Sequence, residues 1–247
     1  MFLREGKGLV LTNAGSKLVV VTEGHFEALE EIRADAAKDL AVMSFGAPES
    51  VFQWVLLPRL NEIMANTPGL RFEFHTVRSD DAVERVKEGK LNLAVVRSDA
   101  VEKPLVATPV GFLDFSWVVP RRLLPGNRAA GVHLLEELPL ALHAGDRHLV
   151  HAVMAVAAQN HIKISVKVSV DSFGLILQAI QSGNDLTAVL PTPAAKGLSK
   201  ELFAVVELEG MQGLRSDLSL VYDERVAVIR DALKRVAGRL AKALRES

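Results

Sequence analysis

Apolar residues along this chain recur with two different spacings. In the first segment, from about Ala14 to Ala37, they stand three or four positions apart, with acidic residues between them. This spacing is typical of an amphipathic helix, and Thr12-Asn13 is a suitable N-cap. We expect the apolar stripe to pair with a second copy of the chain, the alternative being that it packs against its own chain. The stripe consists of Leu18, Val19, Phe26, Leu29, Ile32 and Ala36.

After this helix, short apolar runs alternate with amphipathic segments. The predicted strands are 40–45, 70–76, 91–96, 115–119, 138–143, 164–170, 186–190 and 218–222. The predicted helices are one that follows the turn 46–50 and ends before Thr67, then 80–88, 147–160, 173–181 and 226–244. Repeated strand–helix–strand units imply an α/β fold with right-handed crossovers. Because this order occurs twice, a second unit is expected after Pro120, where residues 121–133 are predicted to form a loop.

Composition narrows the classes of function. The 247 residues are 49% hydrophobic and 24% charged, with a net charge of -1. That length can form a large core in one or two domains. The near-neutral charge gives no global field for nucleic acid, so any DNA contact must be local. The chain has no cysteine, which excludes disulfides and thiolate chemistry. Neither a secretory signal nor a bilayer-spanning run is evident, so we expect a cytoplasmic protein without membrane contact.

The motifs of catalysis and of metal binding are not found. Four histidines lie close in sequence, and two of them, His148 and His151, have a spacing that places them on one helix face. A zinc site would add a glutamate and a third ligand at fixed spacing, so no metal is expected. No nucleophile elbow, phosphate-binding loop or dinucleotide fingerprint occurs. We therefore expect neither catalytic residues nor a cofactor.

The opening residues 1–15 resemble the wing of the winged helix-turn-helix domain of LysR-type transcriptional regulators. The residues that carry this resemblance are Phe2, Leu3, Arg4, Gly6, Gly8, Leu11, Thr12, Ala14 and Gly15. Further segments are similar to the family's effector-binding domain. They are 55–60, 67–70, 88–97 (similar to the family's G-x-L-D-L-A strand, with Asn92 where Asp is usual), 170–173, 181–183 and 188–191.

This resemblance implies an α/β fold of two Rossmann-like subdomains, as in type 2 periplasmic binding proteins. A wing remnant at 1–13 and a linker or dimerisation helix at 14–38 would precede them. Subdomain I would comprise 39–117 and 218–247, and subdomain II 118–217. A small-molecule effector, often a carboxylate, would bind in the cleft between the subdomains, and the protein would form a homodimer or homotetramer.

In the LysR family, the helices that recognise DNA precede the wing. We therefore expect most of the helix-turn-helix to be missing, through truncation or in a true short product. Sequence-specific DNA binding is then expected only of the full-length protein. The wing cations Arg4 and Lys7, joined by Lys17, would add weak, salt-sensitive contacts to the DNA backbone.

Candidate effector-binding residues follow from the predicted topology. In α/β sheets, ligands bind beyond the carboxyl ends of strands, where helix N-termini favour anions. Arg97, at the end of a strand, can hold a carboxylate with two hydrogen bonds, the alternative being an ion pair with Asp99 or Asp114. The predicted effector-binding residues are Gly46, Ser50 (alternatively a helix cap), Val51, Arg97, His143, Arg147, Phe173 (alternatively a core residue) and Thr192.

Three hypotheses of function therefore stand at the level of sequence. The first is a LysR-family transcriptional regulator that senses an anionic effector. The second is a stand-alone solute-binding protein of the same fold, which the absent signal peptide and the wing-like start disfavour. The third is an enzyme on the same two-lobed fold, which the absence of a nucleophile–base pair or metal set disfavours.

Overall fold

A computed structural model describes residues 1–5, 8–37, 41–124, 134–206, 214–229 and 231–245. The chain forms two compact units. Unit 1 comprises Met1–Gly111 and Asp217–Ser247, and unit 2 comprises Phe112–Ser216. The chain leaves unit 1 within one strand and returns to it within another. The subdomain limits given above from the sequence stay a prediction.

A hairpin and a long helix open unit 1. Strand β1 (Phe2–Glu5) pairs antiparallel with β2 (Gly8–Leu11), and helix α1 (Asn13–Ala37) follows. Thr12 caps the helix as predicted, because its Oγ1 accepts a hydrogen bond from the Gly15 N–H at 3.0 Å. The N–H of Thr12 also donates to the Met1 carbonyl at 2.8 Å. The hairpin is therefore tied to the first turn of α1.

The remaining elements follow in chain order. Unit 1 continues with β3 (Ala41–Ala47), α2 (Glu49–Val51), a π-helical turn (Phe52–Leu56), a 3-10 turn (Leu57–Arg59), α3 (Leu60–Asn66), β4 (Leu70–Thr76), α4 (Ser79–Lys87), β5 (Leu93–Arg97) and a 3-10 turn (Ser98–Ala100). Strand β6 (Leu105–Pro120) leads into unit 2, which continues with a 3-10 turn (Arg121–Leu123), α5 (Leu134–Glu137), β7 (Leu140–His143), α6 (Arg147–Gln159), β8 (Val166–Val170), α7 (Phe173–Gln181), β9 (Thr187–Pro191), α8 (Thr192–Lys196) and β10 (Phe203–Val206). Strand β11 (Arg215–Asp223) returns to unit 1, which ends with α9 (Glu224–Ile229) and α10 (Asp231–Arg245).

Each unit has a sheet with parallel strands at its centre. In unit 1, β3 pairs in parallel with β4 and β5, and β11 pairs antiparallel with β5. In unit 2, β7 pairs in parallel with β8 and β9, while β6 pairs antiparallel with β9 and β10. Residues 93–96 of β5 are completely buried, which is typical of a parallel strand covered on both faces. The predicted α/β fold class is therefore confirmed.

The structure differs from the predicted elements in several places. Strand β6 is much longer than the predicted strand 115–119. The first part of β6 contains Pro109 and Gly111 and has no continuous apolar run, so the sequence pattern did not indicate a strand there. Strand β10 and helix α5 were not predicted, since each is only four residues long. The predicted helix 226–244 corresponds to α9 and α10, on either side of residue 230. Residue 230 lies outside the described residues, and so do Leu40 of the first predicted strand and most of the predicted loop 121–133.

Helix α1 presents two contrasting faces. Five residues of the predicted apolar stripe are exposed: Leu18, Val19, Phe26, Leu29 and Ile32. The side chain of Ala36, the sixth residue of the stripe, lies outside the described residues. Another face of the helix packs against the rest of unit 1, where Val20 and Gly24 are buried. Helix α1 therefore packs on its own chain, as in the predicted alternative, but it does so through a face that the sequence pattern did not identify.

Glu23 lies on this packed face in an unfavourable setting. A Cβ added to Gly89, whose φ is +77°, would lie 2.5 Å from Glu23 Oε2, so the carboxyl group lies directly over this glycine. Oε2 is buried, and none of the described residues donates a hydrogen bond to it. Burial raises the pKa of the Glu23 carboxyl above its ordinary value of 4.5, and Glu27 raises this pKa further. Lys90 opposes this shift, and Glu88 adds to it.

The raised pKa predicts how stability responds to pH at this position. The unfolded chain releases the Glu23 proton at a lower pH than the folded chain, so Glu23 destabilises the fold as the pH rises from about 4.5 through its folded pKa. We expect Glu23→Gln to raise the melting temperature by a few degrees near pH 7, with the gain shrinking toward zero near pH 4. Thermal unfolding at several pH values measures this difference. Glu201→Gln, at an exposed position of unit 2, is the control, and an equal gain in both variants would contradict the account.

Candidate functional site

The first predicted turn lies at the carboxyl end of β3. A Cβ on Gly46 would lie 2.5 Å from Cδ1 of Leu91 and 3.2 Å from Cγ2 of Val77. The glycine therefore leaves room for the packing of Leu91 and Val77, a role that differs from the effector binding predicted above. Ser50 and Val51 are buried in the short helix α2, whose N-cap is Pro48. No side-chain hydrogen bond caps this helix, so the structure does not give Ser50 the alternative role of a cap.

Arg97 ends the buried strand β5. Its Nε lies 2.9 Å from Asp99 Oδ1, and its Nη2 lies 3.7 Å from Asp80 Oδ1. The pairing with Asp99 is the predicted alternative, whereas Asp80 takes the place expected of Asp114. The carboxylates of Asp99 and Asp80 are 60% and 57% exposed, while the arginine side chain is 22% exposed. Exposed ion pairs of this kind contribute only about 0–1 kcal/mol. A ligand carboxylate can therefore compete with them.

Three serines in unit 1 lie on elements next to Arg97, and the sequence did not predict them. The buried Ser79, the first residue of α4, accepts the backbone N–H of Arg97 at 3.1 Å. Ser98 and Ser219 share a hydrogen bond of 2.8 Å. Ser219 lies on β11, opposite Val96 of β5. Only the position of Ser79 beside a predicted helix start could have signalled such a role.

In unit 2, two predicted residues contact each other directly. The ring of His143, at the end of β7, stacks on Phe173, the first residue of α7, with centroids 4.1 Å apart. Both side chains are buried, which places Phe173 in the core, its predicted alternative. Nδ1 of His143 accepts the Asp146 N–H at 2.9 Å. In the neutral ring, this bond assigns the proton to Nε2.

Two helices of unit 2, α6 and α7, begin with side-chain caps. Asp146 Oδ1 accepts the Leu149 N–H at 3.0 Å and caps α6, whose first residue is the exposed Arg147. Ser172 caps α7 in the same way through the Leu175 N–H. The cap of α6 explains the acidic residue in this turn, because a carboxylate stabilises a helix N-terminus.

Thr192 begins the short helix α8 after β9. Its hydroxyl shares a hydrogen bond of 2.8 Å with Ser116 on β6. The ends of β7 and β9 lie at the same sheet edge because the two strands run parallel. Unit 2 therefore brings His143 and Phe173 into contact and places Thr192 and Arg147 at the helix starts of this edge.

The remaining predictions concern the hairpin, metals and the membrane. Arg4 is exposed on β1, and Lys7 lies outside the described residues. Within the described ranges, no group of three or more histidine, aspartate or glutamate residues is arranged to hold a metal ion. None of the described helices is both long and apolar enough to cross a bilayer.

Comparison with known proteins identifies the family. A family model described as the LysR substrate binding domain matches residues 38–241. The HTH-type transcriptional regulator BbuR of Bordetella bronchiseptica is 27% identical over 159 residues, which are 60% of this chain and 47% of BbuR. The chain thus spans about half the length of this curated relative.

Solved structures support the same fold. Full-length OxyR of Pseudomonas aeruginosa, in a variant form, superposes with a TM-score of 0.70 at 17% identity, covering 99% of this chain and 80% of that chain. Full-length CbnR in complex with its target DNA gives 0.67 at 16% identity, covering 94% and 82%. At these identities the likeness establishes the fold, which is of the type 2 periplasmic-binding kind.

The family match covers both units and most of the chain's length. The prediction that the chain is not an enzyme is confirmed by this match, because the family is one of regulators. The chain therefore belongs to the LysR substrate binding domain family.

Proposed function

We propose that this chain is the sensing part of a LysR-type transcriptional regulator and binds a small anionic effector at the carboxyl ends of its strands. The observation that carries the proposal is Arg97. Its guanidinium ends a fully buried strand, yet it pairs only with exposed carboxylates among the described residues. An arginine in this position can exchange those weak pairs for a bidentate bond to a ligand carboxylate.

Unit 2 supplies a helix N-terminus to the proposed site. Helices α6 and α7 both begin beside His143, but the Asp146 carboxylate already caps α6. The N-terminus of α7, whose dipole favours an anion, is therefore the one proposed for the effector. The Ser50 hydroxyl, Arg147 and Thr192 are proposed as further polar contacts, and Gly46, Val51 and Phe173 as the walls. Each of these residues lies at or just after the carboxyl end of a strand, where ligands bind in α/β sheets.

DNA contact is proposed for the full-length regulator. The wing-like hairpin supports this proposal, as does the solved complex of CbnR with its target DNA. Arg4 and Lys7 would contribute only weak, salt-dependent binding, because affinity follows the number of phosphates neutralised. A cytoplasmic location is proposed on the same family grounds. We also propose that the regulator assembles as a homodimer or homotetramer through the exposed stripe of α1.

The effector proposal is tested by a thermal-shift screen of small carboxylates and neutral metabolites, followed by titration of the hits. A ligand that binds only the folded state raises the melting temperature by mass action. We expect Arg97→Ala to weaken binding of a carboxylate hit by about tenfold or more, because a hydrogen bond to a charged group contributes roughly 1.5–3 kcal/mol.

Arg71→Ala is the matched control for this titration. Arg71 is an exposed arginine of unit 1 that pairs with Glu73 on its own strand. Its replacement should leave the affinity within about twofold. Equal affinity of the wild type and Arg97→Ala would remove Arg97 from the site, and a screen with only uncharged hits would contradict the anionic effector.

The proposed assembly predicts a dimer or tetramer in sedimentation velocity at micromolar concentration. Phe26 and Leu29 are 64% and 59% exposed on α1, and burying such side chains drives association. Phe26→Glu with Leu29→Glu should therefore shift the chain toward monomer. Leu175→Glu, at a site on α7 that is 53% exposed, is the control and should leave the sedimentation unchanged. A wild-type chain that sediments as a monomer would contradict the proposal.

A further inference from the structure

A buried asparagine, Asn92, joins the packed face of α1 to the sheet of unit 1 by hydrogen bonds. Asn92 is buried and directly precedes β5. Its Oδ1 accepts hydrogen bonds from the N–H of Ser44 at 2.9 Å and from the Ser44 hydroxyl at 3.0 Å. Its Nδ2 donates to both carboxylate oxygens of Glu27 on α1, at 3.0 and 2.9 Å. One side chain thus joins β3, β5 and the helix.

The chemistry of these contacts is directional. The side-chain oxygen of Asn92 accepts hydrogen bonds from the sheet, and its amide nitrogen donates hydrogen bonds to the helix. A carboxylate at position 92 would keep both bonds from Ser44, since these need only an acceptor, but would face Glu27 with like charge. Two carboxylates at hydrogen-bond distance repel each other strongly when both are ionised. The amide is therefore the chemical requirement for seating α1 here.

Several carboxylates lie near the Asn92 amide, so a hydrogen-bond donor at this position is important. The interface between α1 and the rest of unit 1 contains a small pocket of about 10 Å³, lined by Glu23, Glu27, Asn92 and Asp223 among others. Asp223 is neutralised by Arg225, which contacts both of its carboxylate oxygens. Glu23 Oε2 has no donor among the described residues. The interface thus already holds three carboxylates, and Asn92 donates to that of Glu27.

We propose that Asn92 is a positioning residue that holds α1, and with it the hairpin, on unit 1 through its amide bond to Glu27. The contact joins the two strands that carry candidate effector residues of unit 1, because Gly46 follows Ser44 on β3 and Arg97 ends β5. The seating of the helix itself does not depend on the identity of the effector.

Hydrogen exchange of the full chain tests the proposal through four variants. Asn92→Asp should speed the exchange of α1 amides 17–29 by about tenfold, while amides 93–96 of β5 keep their protection. Glu27→Gln should have little effect, since a glutamine oxygen still accepts from Asn92. The double variant Asn92→Asp with Glu27→Gln should restore slow exchange, because the glutamine amide then donates to the aspartate.

Asn61→Asp is the control, since it makes the same chemical change at an exposed asparagine of α3 in unit 1. It should leave exchange of α1 within about twofold. Unchanged exchange of α1 in Asn92→Asp would overturn the proposal, and so would a double variant that exchanges as fast as Asn92→Asp alone. Equal loss of protection in β5 and α1 would also overturn it, because Asn92 would then act on the sheet and not on the seating of the helix.

Discussion

Burial of the central strands β5, β7 and β9 on both faces is the constraint on which the rest of this structure depends. In unit 1, residues 93–96 of β5 are fully buried, so the strand becomes polar only at its end, with Arg97. In unit 2, the buried strand β7 ends at His143 in the same way. Parallel strands also require crossovers, so the connecting helices begin at this same edge. Polar chemistry is thereby concentrated at strand ends and helix starts, where the family is proposed to bind its effectors.

Helix α1 meets a different constraint, because it places acidic side chains against a folded unit. Two of these acidic side chains differ in their hydrogen bonding. Glu27 is bonded by an amide from Asn92, whereas Glu23 is held over Gly89 without a donor to its buried oxygen. The opposite face of the same helix leaves large apolar side chains such as Phe26 exposed. Holding the helix to its own unit and pairing it with a second copy therefore use different residues, and both can occur in one assembly.

The sequence was most informative where a single local pattern decides the structure. The spacing of apolar residues predicted strand β4 and helix α7 to the residue, and the end of an apolar run placed Arg97 at a strand terminus. Contacts between segments that are distant in sequence could not be predicted. The Asn92–Glu27 bond joins residues 65 positions apart, and Leu91 fills the space beside Gly46 only once the sheet has formed. Neither contact has a signal in local spacing, because both depend on the packing of separate elements.

The central proposal is that an effector binds at the carboxyl ends of the buried strands. Hydrogen exchange of the full chain, with and without a saturating carboxylate from the metabolite screen, tests it most directly. The account predicts slower exchange at residues 46–51 and 97–99 of unit 1 and, in the same sample, at residues 143–149 and 172–175 of unit 2. No protection at any of these strand ends, or protection confined to segments away from them, would contradict it.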